Sequence, residues 1–273
     1  MATPVHARIG SWLAERLLGF FVILFFVFLV APIAVVVAVA FTSANFISFP
    51  TPGFSLRWFV QVFEYRPFVN SLIVSIQVAV GSAILGSLIG VPAALKLSRT
   101  RSRIGGAVAT FLISPLSMPA IVLGFSLLFY LSALGLPLSF ASLLIAHTVV
   151  SIPYIMRTVI GVYRSVPTSY EEAARALGAN RFRVFVHVTL PIIRPGIFAG
   201  CLFAMLVSID NLPLSYFFGS TASNTLPVVV LSYLENQFDP AVAAISVIQL
   251  TIAIVLLVVI DMTYGLRRVA INS

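Results

Sequence analysis

From Leu17 to Phe41 the chain reads LLGFFVILFFVFLVAPIAVVVAVAF, without one charged side chain. A run of that length crosses a ~30 Å hydrocarbon layer as a helix. Inside such a layer an isolated segment must satisfy its own backbone hydrogen bonds, which selects the helix over other conformations. Five more apolar stretches follow, giving candidate spans at 17–41, 67–95, 107–131, 139–162, 196–219 and 241–264. Charged residues make up only 9% of the chain, against about 25% in a water-soluble domain. That is too sparse to cover a surface facing water. The expectation is an all-α, polytopic membrane protein with six transmembrane helices in one domain, 1–273. The small residues of AVAFTSA offer a leader-like cleavage point, but a leader core is only about 7–15 residues long, so a retained anchor is expected.

The connectors carry the charge. Arg8 and Arg16 precede the first span, and Lys96, Arg99, Arg101 and Arg103 follow the second. Arg157, Arg164, Arg175, Arg181, Arg183 and Arg194 cluster around the connector after the fourth, and Arg267 and Arg268 close the tail. These are fourteen of the sixteen basic residues; Arg57 and Arg66 fall in the first outer loop. A positive-inside distribution of this kind puts both termini in the cytoplasm. It also accounts for the net charge of +8 as a topology signal, so no nucleic-acid partner is expected. In the outer loop, Trp58, Phe59, Phe63 and Tyr65 fit an interfacial aromatic belt.

One connector is unlike the rest. Residues 171–191, EEAARALGANRFRVFVHVTLP, are polar and cation-rich. Thr168 to Glu171, and Ser169 to Glu172 one residue on, have the form of a capping box. Tyr170, Ala173, Ala174 and Leu177 recur at helical spacing along one face, with Glu171, Glu172 and Arg175 off it. Gly178 suits the left-handed residue that ends a helix, and Asn180 can cap a second. Phe182, Phe185, Val186 and Thr189 supply the second stripe, and Pro191 and Pro195 are expected to end it before the fifth span. The pattern reads as a cytoplasmic helix–turn–helix within 164–195. It could rest on lipid headgroups or seat in a partner.

Glu172-Ala173-Ala174, then Gly178, Val188, Leu190 and Pro191 at their spacings, resemble the EAA motif of permease subunits of bacterial ABC importers. Val188 stands where isoleucine is usual. The resemblance implies a type I importer permease fold in the bacterial inner membrane. It makes Glu171, Glu172, Ala173, Ala174, Leu177, Gly178 and Arg181 the coupling site for two ATPase subunits, which would hold ATP and Mg. It implies a second permease, a paralogue in a heterodimer, and an extracytoplasmic solute-binding protein. Residues 206–220, LVSIDNLPLSYFFGS, and the following LPVVVLSYL resemble the polyamine-type branch. That branch carries paired acids where this chain has Asp210-Asn211, and an acid where Ala120 follows Pro119.

Other features bound the chemistry. Lys96 is the only lysine and no Gly-Lys pair occurs, so no phosphate-cradling loop of the G-x-x-x-x-G-K-[ST] type exists. Any ATP chemistry belongs to another chain, and no cofactor or metal is expected on this one. Cys201 is the only cysteine, which excludes an internal disulfide. A three-repeat carrier signature, a channel filter and a membrane-embedded hydrolase motif are all missing. Asp210 is read deep in the fifth span, where a charge stays only if it faces water, a partner or cargo. With Asn211, Ser208, Ser117 and Tyr216 it makes the candidate solute path; an interhelical hydrogen bond is the other reading. Ser114, Pro115, Ser117 and Pro119 form a kinked polar strip in the third span. Gln77, His147 and Gln249 suit interhelical hydrogen bonds, and Asp261 an ion pair with Arg267 or Arg268.

Overall fold

Apolar side chains and self-contained backbone bonding give helices almost throughout. The computed structural model describes residues 5–100, 102–220 and 223–264, and among them there is no strand beyond one isolated bridge, Thr42 to Phe54. Arg101, Arg267 and Arg268, and with them the ion pair expected at Asp261, lie outside the described residues. The helices are α1 (Val5–Ala40), α2 (Arg57–Glu64), α3 (Arg66–Ser98), α4 (Arg103–Ile113), α5 (Ala120–Ala133), α6 (Phe140–Arg164) and α7 (Ser169–Ala176). Then come α8 (Arg181–Ile209), α9 (Leu212–Phe218), α10 (Leu226–Asn236) and α11 (Ala241–Tyr264). The sequence pattern gave no hint of α10 as a separate helix.

Among the described residues four helices are long and apolar enough to cross a membrane: Glu15–Ala40 within α1, then α3, α6 and α8. Arg103–Ser117 and Ala120–Ala133 add a fifth if taken as one crossing, although they meet at a bend of 114°. The third candidate span is therefore corrected from a kinked helix to a broken one. A 3₁₀ turn at Ser114–Ser117 leads to Met118 and Pro119, both extended. The prolines cannot donate to the helical ladder, and Pro119 disfavours a helical Met118. The helix α11 is 24 residues long by its backbone, and its described apolar part is Ala241–Val255.

The chain forms two compact units. One holds residues up to Tyr65 with Leu234–Leu256; the other holds Arg66–Tyr233 with the residues from Leu257. In the first, α1 exposes almost every side chain from Leu17 to Val30, as expected of a helix facing lipid. Trp58 is not an interfacial anchor: it is buried, and its indole donates to the Thr42 carbonyl at 3.0 Å. Phe63 and Tyr65 remain exposed.

The second unit is built on α3, α6 and α8. Val91, Ala94, Ile155, Met156, Val159 and Ile193 form its main buried cluster. Approach is closest at Gly200 of α8, where a Cβ would sit 2.7 Å from the Ile155 Cα and collide with the Thr158 hydroxyl. Small residues let membrane helices pack backbone to backbone in this way.

Candidate functional sites

The helix α7 ends as its sequence suggests. Gly178 has φ of +83°, the left-handed conformation that glycine adopts cheaply. The Gly178 amide bonds the Arg175 carbonyl and the Ala179 amide the Ala174 carbonyl, at 2.9 and 3.1 Å, the pairing of a Schellman motif. Asn180 caps the next helix by accepting from the Arg183 amide at 2.9 Å.

The start of α7 differs from the capping-box reading. Thr168 makes no side-chain cap bond, and Glu171 turns inward, only 5% exposed. Its Oε1 accepts from the Tyr163 and Thr189 hydroxyls, each at 2.8 Å. Its Oε2 accepts from Arg99 at 2.8 Å and Arg175 at 3.4 Å. The Arg99 guanidinium also lies 4.2 Å over the Tyr163 ring. One carboxylate thus ties together the end of α3, the end of α6, α7 and the start of α8. Burial pushes the Glu171 carboxyl up, but the Thr189 and Tyr163 hydroxyls and the Arg99 and Arg175 guanidiniums outweigh it. The net result lies below the ordinary carboxylate range.

With Glu171 as the inward residue, the apolar stripe points out. Tyr170 and Leu177 are exposed, Leu177 at 89%, as are Glu172 and Ala173; Ala174 is half-buried, and Gly178 and Arg181 are exposed. The second stripe is corrected too. Thr189 is buried as expected, but Val184 is buried beside it, while Phe182 stands 73% exposed. Nor do Pro191 and Pro195 end this segment. It continues into the fifth span as one helix, Arg181–Ile209. A π turn at Phe185–Thr189 widens the ladder just where Pro191 could not donate.

The opposite end of α8 carries the second site. The fifth span, read as 196–219, breaks at Asp210 and Asn211, between α8 and α9. Asn211 is buried, and its side chain accepts from the Leu214 amide at 3.1 Å, capping α9. His147 of α6, 1% exposed, bridges the break: Nδ1 lies 2.8 Å from the Ser208 hydroxyl and Nε2 3.1 Å from that of Ser215. His147 is therefore the interhelical contact that its position suggests. Ser208, a candidate path residue, is buried and engaged with it. Asp210 terminates α8 rather than lying inside a helix; it is exposed and makes no side-chain bond among the described residues.

A cavity of about 130 Å³ is lined by Pro115, Met118 and Ala120 from the first break and by Val207, Asn211 and Leu214 from the second. Both interruptions of helical backbone thus open on one space. Ser117 and Tyr216 are exposed and do not line it. Sequence reasoning missed Arg99, Tyr163 and Thr189 as partners of Glu171. Pro213 marked where the helical ladder breaks, but the fifth span was still read as running to 219; Asn211, two residues earlier, was an available start signal for α9.

Residues 86–268 match the family described as the binding-protein-dependent transport system inner membrane component. The chain is 28% identical over 238 residues to the spermidine/putrescine transport system permease protein PotC of Haemophilus influenzae, covering 87% of this chain and 92% of that one. It is 31% identical over 228 residues to the putrescine transport system permease protein PotI of Escherichia coli, covering 81% of each. In fold it is similar to a chain of a bacterial ABC transporter involved in the import of the acidic polysaccharide alginate. That match has a TM-score of 0.69 at 19% identity, over 97% of this chain and 99% of the other.

Proposed function

Because the chain belongs to the family of binding-protein-dependent transport system inner membrane components, we propose how its parts serve import. The protein is the permease subunit of an ATP-driven importer, forming half of the path for a small solute that an extracytoplasmic binding protein delivers. The solute is polyamine-like or a related organic compound, a reading supported by what the two relatives are named for. The chain crosses the bacterial inner membrane six times with both termini in the cytoplasm, and the other half of the path is a paralogue. ATP and Mg are held by two ATPase subunits, and α7 with the turn after it seats in one of them.

In this reading Glu172, Ala173, Ala174, Leu177, Gly178 and Arg181 make the docking face, and Glu171 sets its angle from beneath. Asn211 and Asp210 border the path where the two helix breaks meet, with Ser117 and Tyr216 nearby in sequence to those breaks; Ser208 braces His147. The observation that carries the coupling role is the contrast within α7: a buried, four-partner carboxylate on one side and an exposed stripe ending in Leu177 on the other. Leu177→Asp should reduce recovery of the ATPase with this chain at least tenfold, while leaving the Tm of the purified permease unchanged. Equal recovery of the ATPase would remove the docking role.

A further inference from the structure

Two turns before the end of α6, Arg157 points into a groove of about 720 Å³ between α6 and α8. Tyr154, Arg157 and Gly161 recur on one face of α6, and Gly196, Ala199 and Phe203 form the opposite wall. Arg157 is exposed, and no carboxylate pairs with it among the described residues. Leu116 and Tyr154 line this groove and also the cavity between the two helix breaks. Arg157 and Gly161 line in turn a third space of about 380 Å³, which reaches Arg164 at the end of α6. The three spaces thus share walls, from Asn211 to the inner end of α6. No acidic residue lines any of them.

Open helical backbone at membrane depth is tolerated only against protein or a water-filled cavity, not against lipid. The side of α6 that faces the breaks is therefore the path side, and Arg157 lies on it. Two turns inside the inner end of α6, an unpaired cation persists where an anion or water meets it. A run of spaces whose charged groups are Arg157 and Arg164 repels a polycation and attracts a negative oxygen.

Resting on the importer reading above, we propose that Arg157 is a solute-binding residue. It receives an anionic group, a carboxylate or a phosphorus oxyanion, on the transported compound. The cargo is then an organic solute with a negative end, in contrast to the all-cationic polyamines for which the two relatives are named. The planar guanidinium suits such oxyanions because it can donate two parallel bonds.

The test uses the whole importer, with its ATPase, second permease and binding protein, in proteoliposomes containing ATP. The paired probes are 4-aminobutyrate and putrescine, which share an amine and differ in the charge of the other end. Uptake of 4-aminobutyrate is expected to exceed that of putrescine. Arg157→Gln should lower it at least tenfold, and Arg157→Lys should restore part of it, with subunit stoichiometry unchanged. Preferential putrescine uptake, uptake of neither probe, or indifference to Arg157→Gln would overturn the assignment. So would loss of a copurifying anionic lipid with uptake intact, which makes Arg157 a lipid clamp. Dissociation of the two permeases makes it an interface ion pair and overturns it equally. Failure of the importer reading itself would show separately, as an ATPase that does not copurify.

Discussion

At the scale of single residues, Glu171 concentrates more of the molecule's logic than any other side chain. Four donors converge on it from α6, α7, α8 and the residue after α3. Glu171→Gln keeps the volume but offers one acceptor where there were two and adds a donor facing donors. A lost hydrogen bond to a charged group costs about 1.5–3 kcal/mol, lowered here because Arg99 and Arg175 are partly exposed. The Tm of Glu171→Gln should therefore fall by several degrees at neutral pH. The folded carboxyl is held below its unfolded value, so its stabilisation is complete above roughly pH 4.3. It fades as pH falls through the depressed folded value. The gap in Tm between wild type and Glu171→Gln should stay constant from pH 7 to 5 and close in stronger acid; a gap that persists there would mean the charge is immaterial. Beyond the i,i+4 partner Arg175, little of this was legible locally. Thr168 and Glu171 fit a capping box, while the true partners Arg99 and Thr189 lie 72 and 18 positions away, beyond the reach of any helical period. Gly178 and Asn180 were legible because each answers a need of the adjacent backbone alone.

At the scale of helices, the pair α6 and α8 sets the shape of the larger unit, and Gly200 is its tightest point. A methyl there meets the Ile155 backbone, which cannot rotate away as a side-chain tip could. Overpacking of this kind costs about 1–3 kcal/mol. Gly200→Ala should lower the Tm measurably, and Gly200→Leu should prevent recovery of a monodisperse permease. A normal melting profile for Gly200→Leu would show that α6 and α8 can separate freely. Proline positions were a poor guide to helix integrity. Pro119 does end a helix, whereas Pro191 and Pro195 sit within one; the π turn at Phe185–Thr189 had already displaced the ladder at Pro191. That several helices are long and apolar enough to cross a membrane was legible from composition. Their continuity was not, since it depends on which donors a proline removes and whether the neighbouring turn still needs them.

At the scale of the whole molecule, charge divides by function. Glu171 is enclosed by cations and serves structure, whereas Asp210 ends α8 exposed and without a bond among the described residues. Asp210→Asn preserves size and most hydrogen bonding, so assembly with the ATPase should be intact. Uptake by the reconstituted importer should drop at least tenfold if the acid meets a cationic part of the cargo. Unchanged uptake would leave Asp210 no role in the path, and collapse of assembly would assign it to packing between subunits. The resemblance singled out residues 206–220. The cavity beside them was not legible, because two breaks far apart in sequence share it.

The layout of α7 has an engineering consequence. Glu171 points inward and is clasped by Arg99, Tyr163, Arg175 and Thr189, while Tyr170, Ala173 and Leu177 are exposed and take no part in that clasp. The outer surface of α7 can therefore be rewritten, at Tyr170, Ala173 and Leu177, without disturbing the clasp beneath. On the docking role proposed for this face, the permease is open to re-pairing with a foreign motor, so that drive and cargo become interchangeable parts.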